Sequence, residues 1–296
     1  MYSVSIITAS YNYARFIAET INSVLAQTYQ DWELIVVDDG SKDNSVEIIK
    51  SYCQKDSRIK LFQHENGVNK GLAQTLKLGI EKATGEWIAF VESDDTLAPT
   101  ALQERIDFLK KNPSVLFLFD DVCKFGETKA IDKVEGSYIR TSKKVNQILK
   151  NFQKKEGGIF ISPANFAKYF SKINLIPTFS CVIVKKSITN SLDFNSPLGY
   201  KLDRYLYAQL AIENGVCYIN KKLTNWRIHE GSYTSSKEEP KARLEFDIAI
   251  IKILATQKLS FWDKIKIALC YLKYFRHTFI RTRGLKITYF CGIKIL

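Results

Sequence analysis

Across its first hundred residues the chain alternates short apolar runs with segments of helical periodicity. The runs "SVSIITA" (3–9), "ELIVVDD" (33–39), "IKLFQ" (59–63) and "EWIAFVES" (86–93) are predicted strands. Between them, "ARFIAETINSVLAQ" (14–27) places Phe16, Ile17, Ile21, Val24 and Leu25 on one helical face. Segments 44–53 and 71–83 also read as helices, the first with Asp43 or Asn44 as its N-cap. Strands spaced by helices form βαβ units, because parallel neighbours need a crossover. The pattern therefore predicts an α/β fold, a mostly parallel sheet with helices on both faces. Beyond it come a helix at 99–113, a strand at 114–125, a polar Lys-rich excursion at 126–165 with helix signal near 143–153, and a strand at 179–187. A helix at 202–214 ending at Gly215 and a short strand at 216–220 complete the pattern.

At 296 residues and 46% hydrophobic, the chain can bury a sizeable core. No run of some 18 apolar residues marks a membrane-spanning helix. Val4-Ser5-Ile6-Ile7 already reads as a first strand, so no signal peptide is expected. Six scattered cysteines without metal spacing read as reduced thiols of a cytoplasmic protein. The net charge of +12 is unevenly placed: residues 1–100 balance to −5, 101–240 to +8 and the last 56 to +9. An acidic front and a basic tail point to an anionic partner near the C-terminus.

Two acidic clusters stand at strand ends, Asp38-Asp39 and Glu92/Asp94/Asp95. Ligands of open α/β sheets bind outside the carboxyl ends of the strands, and parallel strands bring both clusters to one edge. Two such clusters repel unless a cation or hydrogen-bond donors compensate them. Mg²⁺ or Mn²⁺, which takes one or two carboxylates plus substrate phosphates, supplies that compensation. Solvated acids capping helices would leave the same sequence pattern. There is no GxGxxG after the first strand and no GxxxxGK[ST], so a diphosphate here is held by metal and side chains.

The segments "VSIITASYNYARFIAETINSVLAQTYQDWELIVVDDGSKDNS", "ENGVNKG" and "GIEKATGEWIAFVESDD", resumed by "KLDRYLYAQLAIENGVCYINKKLTNWRIHEGSYTSS", resemble the family 2 glycosyltransferases, nucleotide-sugar enzymes of the GT-A fold. The resemblance implies a Rossmann-like GT-A catalytic domain over residues 1–235. It implies a nucleotide pocket walled by Ala9, Ser10 and Tyr11, with Tyr11 stacking on the base and Asp39 accepting a hydrogen bond from it. Asp95 would ligate the metal and Asp94 would contact ribose or ligand, while Glu92 stands where many members have Asp. Asp203 matches the catalytic base, and Arg227 and His229 match an Arg-x-His segment that approaches the diphosphate or metal. Where many members carry Ala-Arg-Asn, this chain has Thr75-Leu76-Lys77: either Lys77 stands in for part of that cationic contact or the contact is lost. The implied activity is inverting, metal-dependent, non-processive transfer from a nucleotide sugar, with UDP as the expected nucleotide. The acceptor is a hydroxyl of a glycan or lipid-linked molecule, in cell-surface polysaccharide synthesis. The processive synthases' Gln-x-x-Arg-Trp motif is absent, Trp226-Arg227 being in the reverse order. The rivals are a nucleotidyltransferase and a non-catalytic nucleotide-sugar or nucleic-acid binding protein. For the first, "TASYNYAR" is a poor phosphate loop. Against nucleic acid, the basic residues avoid the acidic half and form no recognised motif.

Residues 236–296 are expected to form a basic amphipathic helical region. Trp262, Ile265, Leu269 and Leu272 recur at helical spacing beside Lys264, Lys266, Lys273 and Arg276, a pattern suited to the cytoplasmic surface of an anionic membrane or to packing against the catalytic domain. The full-length protein is expected to float with anionic liposomes at low salt; retention in the soluble fraction would favour the packed arrangement.

Overall fold

The computed structural model describes residues 2–155, 157–170, 173–194 and 201–231, together with Ile253, Tyr289–Phe290 and Ile293–Lys294. The first half is the expected βαβ series. Strands β1 (Val4–Ser10), β2 (Trp32–Asp38), β3 (Ile59–Gln63) and β4 (Trp87–Phe90) pair in parallel in the order β3-β2-β1-β4. Helices α1 (Ile17–Leu25), α2 (Ser45–Cys53) and α3 (Leu72–Lys82) make the crossovers. These strands read as unbroken apolar runs because both faces are covered. Ile6, Leu34 and Val36 pack with Ile17, Ile21 and Ile49 on one face. Ile7, Ile35 and Val37 pack with Leu76 and Ile80 on the other.

The chain continues through β5 (Thr96–Leu97), α4 (Ala101–Lys111), β6 (Phe117–Gly126) and α5 (Thr128–Leu149). Then follow β7 (Gln153–Lys155), β8 (Gly158–Ile161), α6 (Pro163–Phe170), β9 (Val182–Lys185), α7 (Leu202–Asn214) and β10 (Val216–Ile228). The sheet extends from β4 as β4-β9-β6-β10-β8-β7, with β5 added to β10. β9 is antiparallel to both β4 and β6, and β10 is parallel to β6. The sheet is thus parallel in its first half and mixed in its second.

Two expectations differ from the structure, and a third is narrowed by it. The excursion at 126–165 is built of secondary structure: a 22-residue helix, two short strands and α6. Its many lysines hide the helix because they occupy the exposed face, while Ala130 and Leu149 are buried. β10 runs to Ile228, past the polar "NKK" that ends the apolar pattern, because register shifts between Ile219 and Thr224 absorb the irregularity. Of the two candidates for capping α2, Asp43 supplies the side-chain acceptor. Its carboxylate takes the Ser45 amide at 3.0 Å and also the Ala14 amide, 2.9 Å away before α1.

Cys53, Cys123, Cys181 and Cys217 are free thiols. Among the described residues no helix is long and apolar enough to cross a membrane. Nearly all of the basic amphipathic region expected at 236–296, and the boundary expected at 235/236, lie outside the described residues.

Glu33 fastens the parallel half together. It accepts the Ser5 hydroxyl at 2.6 Å, the Thr84 amide and hydroxyl at 2.7 Å each, and the Lys60 ammonium at 2.7 Å. Burial pushes its carboxyl up, but the bonds from Lys60, Ser5 and Thr84 outweigh it and hold the pKa at about 2, against an ordinary 4.5. A depressed carboxylate stabilises the fold above its unfolded pKa and ceases to as pH falls through the folded value. Glu33→Gln is expected to lower the urea midpoint at neutral pH. The gap to the parent should close as pH falls from about 4.5 to about 2; a gap independent of pH would exclude this role.

Candidate active site

Because β1, β2 and β4 are parallel, with Ser10 beside Asp38 and Ile7 beside Phe90, both acidic loops leave the sheet at one edge. β10 points the same way, so Arg227 and His229 emerge there too. A single glycine, Gly215 with φ 70°, joins α7 to β10. The helix therefore runs back against the strand and brings Asp203, in its first turn, to the same edge.

Asp95 is fully buried. Its Oδ1 accepts the Arg227 amide at 2.8 Å, and its Oδ2 accepts the Ser180 hydroxyl at 2.6 Å with the Thr178 hydroxyl 3.3 Å away. The Thr20 hydroxyl lies 2.9 Å and 2.8 Å from the carbonyls of Ser93 and Asp95, fastening the loop to α1. Burial, then the charge of Asp94, pushes the Asp95 pKa up to about 8. Glu92 takes the Thr178 hydroxyl on its carboxylate, and its amide donates to Ser180 Oγ at 2.9 Å. Its pKa is pushed well above the carboxylate range by burial, by Asp95 and by Asp94.

Asp94 faces His229: its Oδ2 lies 3.1 Å from His229 Nε2. Burial raises the Asp94 pKa, and the bond to His229 offsets part of the rise. The His229 ring leans on Phe16 at 4.8 Å between centroids. Arg227 donates from Nε to the Asp94 carbonyl at 2.7 Å and from Nη2 to Glu19 at 2.5 Å. Its guanidinium lies 4.2 Å from the Phe125 ring centre and 4.8 Å from that of Phe16. In this arrangement Arg227 orients the Asp94 loop. Burial raises Asp203 to about 6, while the Arg204 amide and the charges of Arg204 and Lys201 limit the rise; its charge in turn raises Glu92.

At the other end, Asp38 holds its turn by accepting the Gly40 and Ser41 amides at 3.2 and 3.0 Å. Asp39 donates its amide to the Ser10 carbonyl at 2.8 Å and accepts the Lys70 and Gly71 amides at 2.7 and 2.9 Å. Gly40 is required there: its φ is 81°, and a Cβ would stand 2.6 Å from the Gly67 carbonyl. The Ala9 carbonyl accepts the Ser93 hydroxyl, tying the Glu92–Asp95 loop to the end of β1. Tyr11 is 45% exposed beside this turn, as are Val68 and Leu72 at 47% and 42% on the facing loop and helix start. Lys77 on α3 is half-exposed, with its ammonium 3.8 Å from Glu81 one helical turn on.

Among the described residues, no three His, Cys, Asp and Glu side chains form a closed metal cage. The residues do fit an ion that draws most of its ligands from substrate and water. Asp94 and His229 offer a carboxylate oxygen and an imidazole nitrogen side by side; burial raises the pKa of Glu92, Asp94 and Asp95, and neighbouring acids add to the rise at Glu92 and Asp95. Asp95 itself has both oxygens engaged within the protein.

Sequence reasoning missed Tyr13, whose phenol pKa is pushed up by burial and by Asp94, Glu92 and Asp95. It also missed His64, 3.5 Å from Asp39 Oδ1, and the pair Thr178 and Ser180. Ser180 is hidden inside an apolar run whose first three residues, Phe179–Cys181, form a 3₁₀ turn instead of strand. Nothing in the local pattern signals that turn.

Acids and a histidine gathered at the carboxyl edge of an α/β sheet form the kind of crevice in which such sheets bind ligands. The Glycosyl transferase family 2 profile matches residues 5–173, and the chain belongs to that family and is a glycosyltransferase. The Streptococcus pneumoniae glycosyltransferase GlyG is 26% identical over 246 residues, covering 83% of this chain and 75% of GlyG. The Escherichia coli UDP-Glc:alpha-D-GlcNAc-diphosphoundecaprenol beta-1,3-glucosyltransferase WfgD is 30% identical over 239 residues, covering 80% of this chain and 81% of WfgD. The crystal structure of S. aureus TarS 1–349 in complex with UDP-GlcNAc has the same fold, with a TM-score of 0.70 at 20% identity over 96% of this chain and 76% of that one.

Removing the Ser180 hydroxyl leaves a buried carboxylate oxygen and the Glu92 amide short of a partner. Ser180→Ala is expected to cost about 1–3 kcal/mol of unfolding free energy. Chemical denaturation measures it; a loss within 0.3 kcal/mol or so would mean that water replaces the hydroxyl at little cost.

Proposed function

We propose that this glycosyltransferase transfers a sugar from a UDP-linked donor, with inversion, to a hydroxyl of a lipid-linked or glycan acceptor in cell-surface polysaccharide synthesis. One observation carries the reading: Asp203, with its pKa raised to about 6, comes to the same sheet edge as Glu92, Asp94 and His229. The similarity to WfgD supports a UDP-sugar donor and a lipid-linked acceptor. Such an acceptor would place the enzyme at the cytoplasmic face of a membrane.

In this reading Asp39 and Ala9 border the base, and the exposed Tyr11 ring offers a stacking surface. Asp94 and His229 would hold Mn²⁺ or Mg²⁺. Asp95, which the family resemblance assigns to the metal, would join them there, and it also fixes the loop from beneath through Ser180 and the Arg227 amide. A bound divalent ion supplies positive charge against the donor diphosphate. Arg227 keeps Asp94 in place through its carbonyl. Asp203 accepts the proton of the acceptor hydroxyl as that oxygen bonds to the anomeric carbon. The bond from that carbon to the diphosphate oxygen breaks on the opposite face. A base with a pKa near 6 is ionised at neutral pH and still basic enough to share the proton.

Asp203→Asn is expected to lose about 10²–10⁴-fold in kcat while keeping UDP affinity. The parent's rate should fall as pH drops below about 6, where Asp203 protonates. UDP with Mn²⁺ should raise the melting temperature of the parent, and EDTA should abolish the shift, as should Asp94→Ala or His229→Ala. Parental turnover by Asp203→Asn would remove the base; a UDP shift indifferent to EDTA would remove the metal.

A further inference from the structure

Behind the acidic loop lies a second charged group that the chemistry above does not use. Arg105 on α4 and Asp120 on β6 are both fully buried, with Arg105 Nε 2.6 Å from Asp120 Oδ2. Arg105 Nη2 donates to the Ser180 carbonyl and to Thr224 Oγ on β10, each at 2.9 Å. The Thr224 hydroxyl lies 3.0 Å from both Asp120 Oδ1 and the Ser180 carbonyl. Arg105 Nη1 is buried without a hydrogen-bond partner.

Such a pair is a poor device for stability alone. Apolar side chains of similar volume commonly serve a buried site as well as an ion pair does. Here the pair is not even fully satisfied. Its geometry, however, converges on one residue. Arg105 and Thr224 grip the Ser180 carbonyl, and the Ser180 hydroxyl bonds Asp95 at 2.6 Å and receives the Glu92 amide at 2.9 Å. A planar guanidinium can span Asp120, Thr224 and Ser180 together, which a lysine ammonium cannot.

We propose that Arg105 is a positioning residue for the Glu92–Asp95 loop, acting through Ser180. By fixing the Ser180 peptide it sets the direction of the hydroxyl that places Asp95 and Glu92. Asp94, between them, is thereby held toward His229. The consequence for donor binding rests on the proposed transferase reading; the consequence for the loop does not.

The test uses the full-length protein and two variants. Arg105→Met with Asp120→Leu removes both charges and keeps the volume. Arg105→Lys keeps the charge and loses the fork. The double variant is expected to melt within a few degrees of the parent. Amide hydrogen exchange at Glu92 and Arg227 should quicken at least tenfold in both variants, although global stability of the double variant is unchanged. Affinity for UDP with Mn²⁺, measured by calorimetry, should fall at least tenfold in both. Parental exchange at these two amides in a folded variant would overturn the proposal. Should the double variant not fold, Arg105→Lys alone decides by the same criterion. A parent that binds no UDP would count against the transferase reading, while the exchange result would still judge Arg105.

Discussion

Asp95 places a carboxylate at a strand end where no water reaches it. Such a group persists only where the protein itself supplies donors, because desolvation otherwise drives it out of its charged form. Its donors come from two distant parts of the chain: the Arg227 amide on β10, and the Ser180 and Thr178 hydroxyls before β9. The loop that bears Glu92 and Asp94 can take this shape only when those parts have assembled. Formation of the site is in this sense a consequence of completing the sheet.

Strand direction does the rest. β1, β2, β4 and β10 end at one edge, and a one-glycine connection aims the first turn of α7 at it. Side chains separated by more than a hundred residues, such as Asp94 and His229, then come within 3.1 Å. The cost of burying acids there appears in the raised pKa values of Glu92, Asp94, Asp95 and Asp203, with neighbouring acids adding to it at Glu92 and Asp95. Negative charge held in reserve in a buried site suits a ligand that arrives with a cation.

The two halves of the edge are built differently. Around Asp39 the partners are backbone amides of Lys70 and Gly71, positioned by the tight approach of Gly40 to Gly67. Around Asp95 they are mostly side chains. Amides impose a shape that tolerates many side chains, whereas the hydroxyls of Thr178 and Ser180 tie the acidic loop to particular residues.

The alternating apolar and amphipathic segments were enough to determine the parallel half, because helix and strand periods are local and both sheet faces are buried. The acids Asp39, Glu92, Asp94 and Asp95 were legible as a group because each follows such a strand. Asp203, Arg227 and His229 were legible only by likeness to a family, since an acid at a helix start or a lone histidine has common structural uses. Tertiary structure alone decided which acid is fully buried and which faces His229. Asp94 and Asp95 are adjacent and chemically alike; Ser180, Thr178 and the Arg227 amide distinguish them. It likewise decided the length of β10 and the helix at Thr128–Leu149, where polar local sequence gives no apolar signal and pairing or packing with distant elements supplies the stabilisation. Hydrogen-bond satisfaction in a buried site depends on residues that no sequence window contains together.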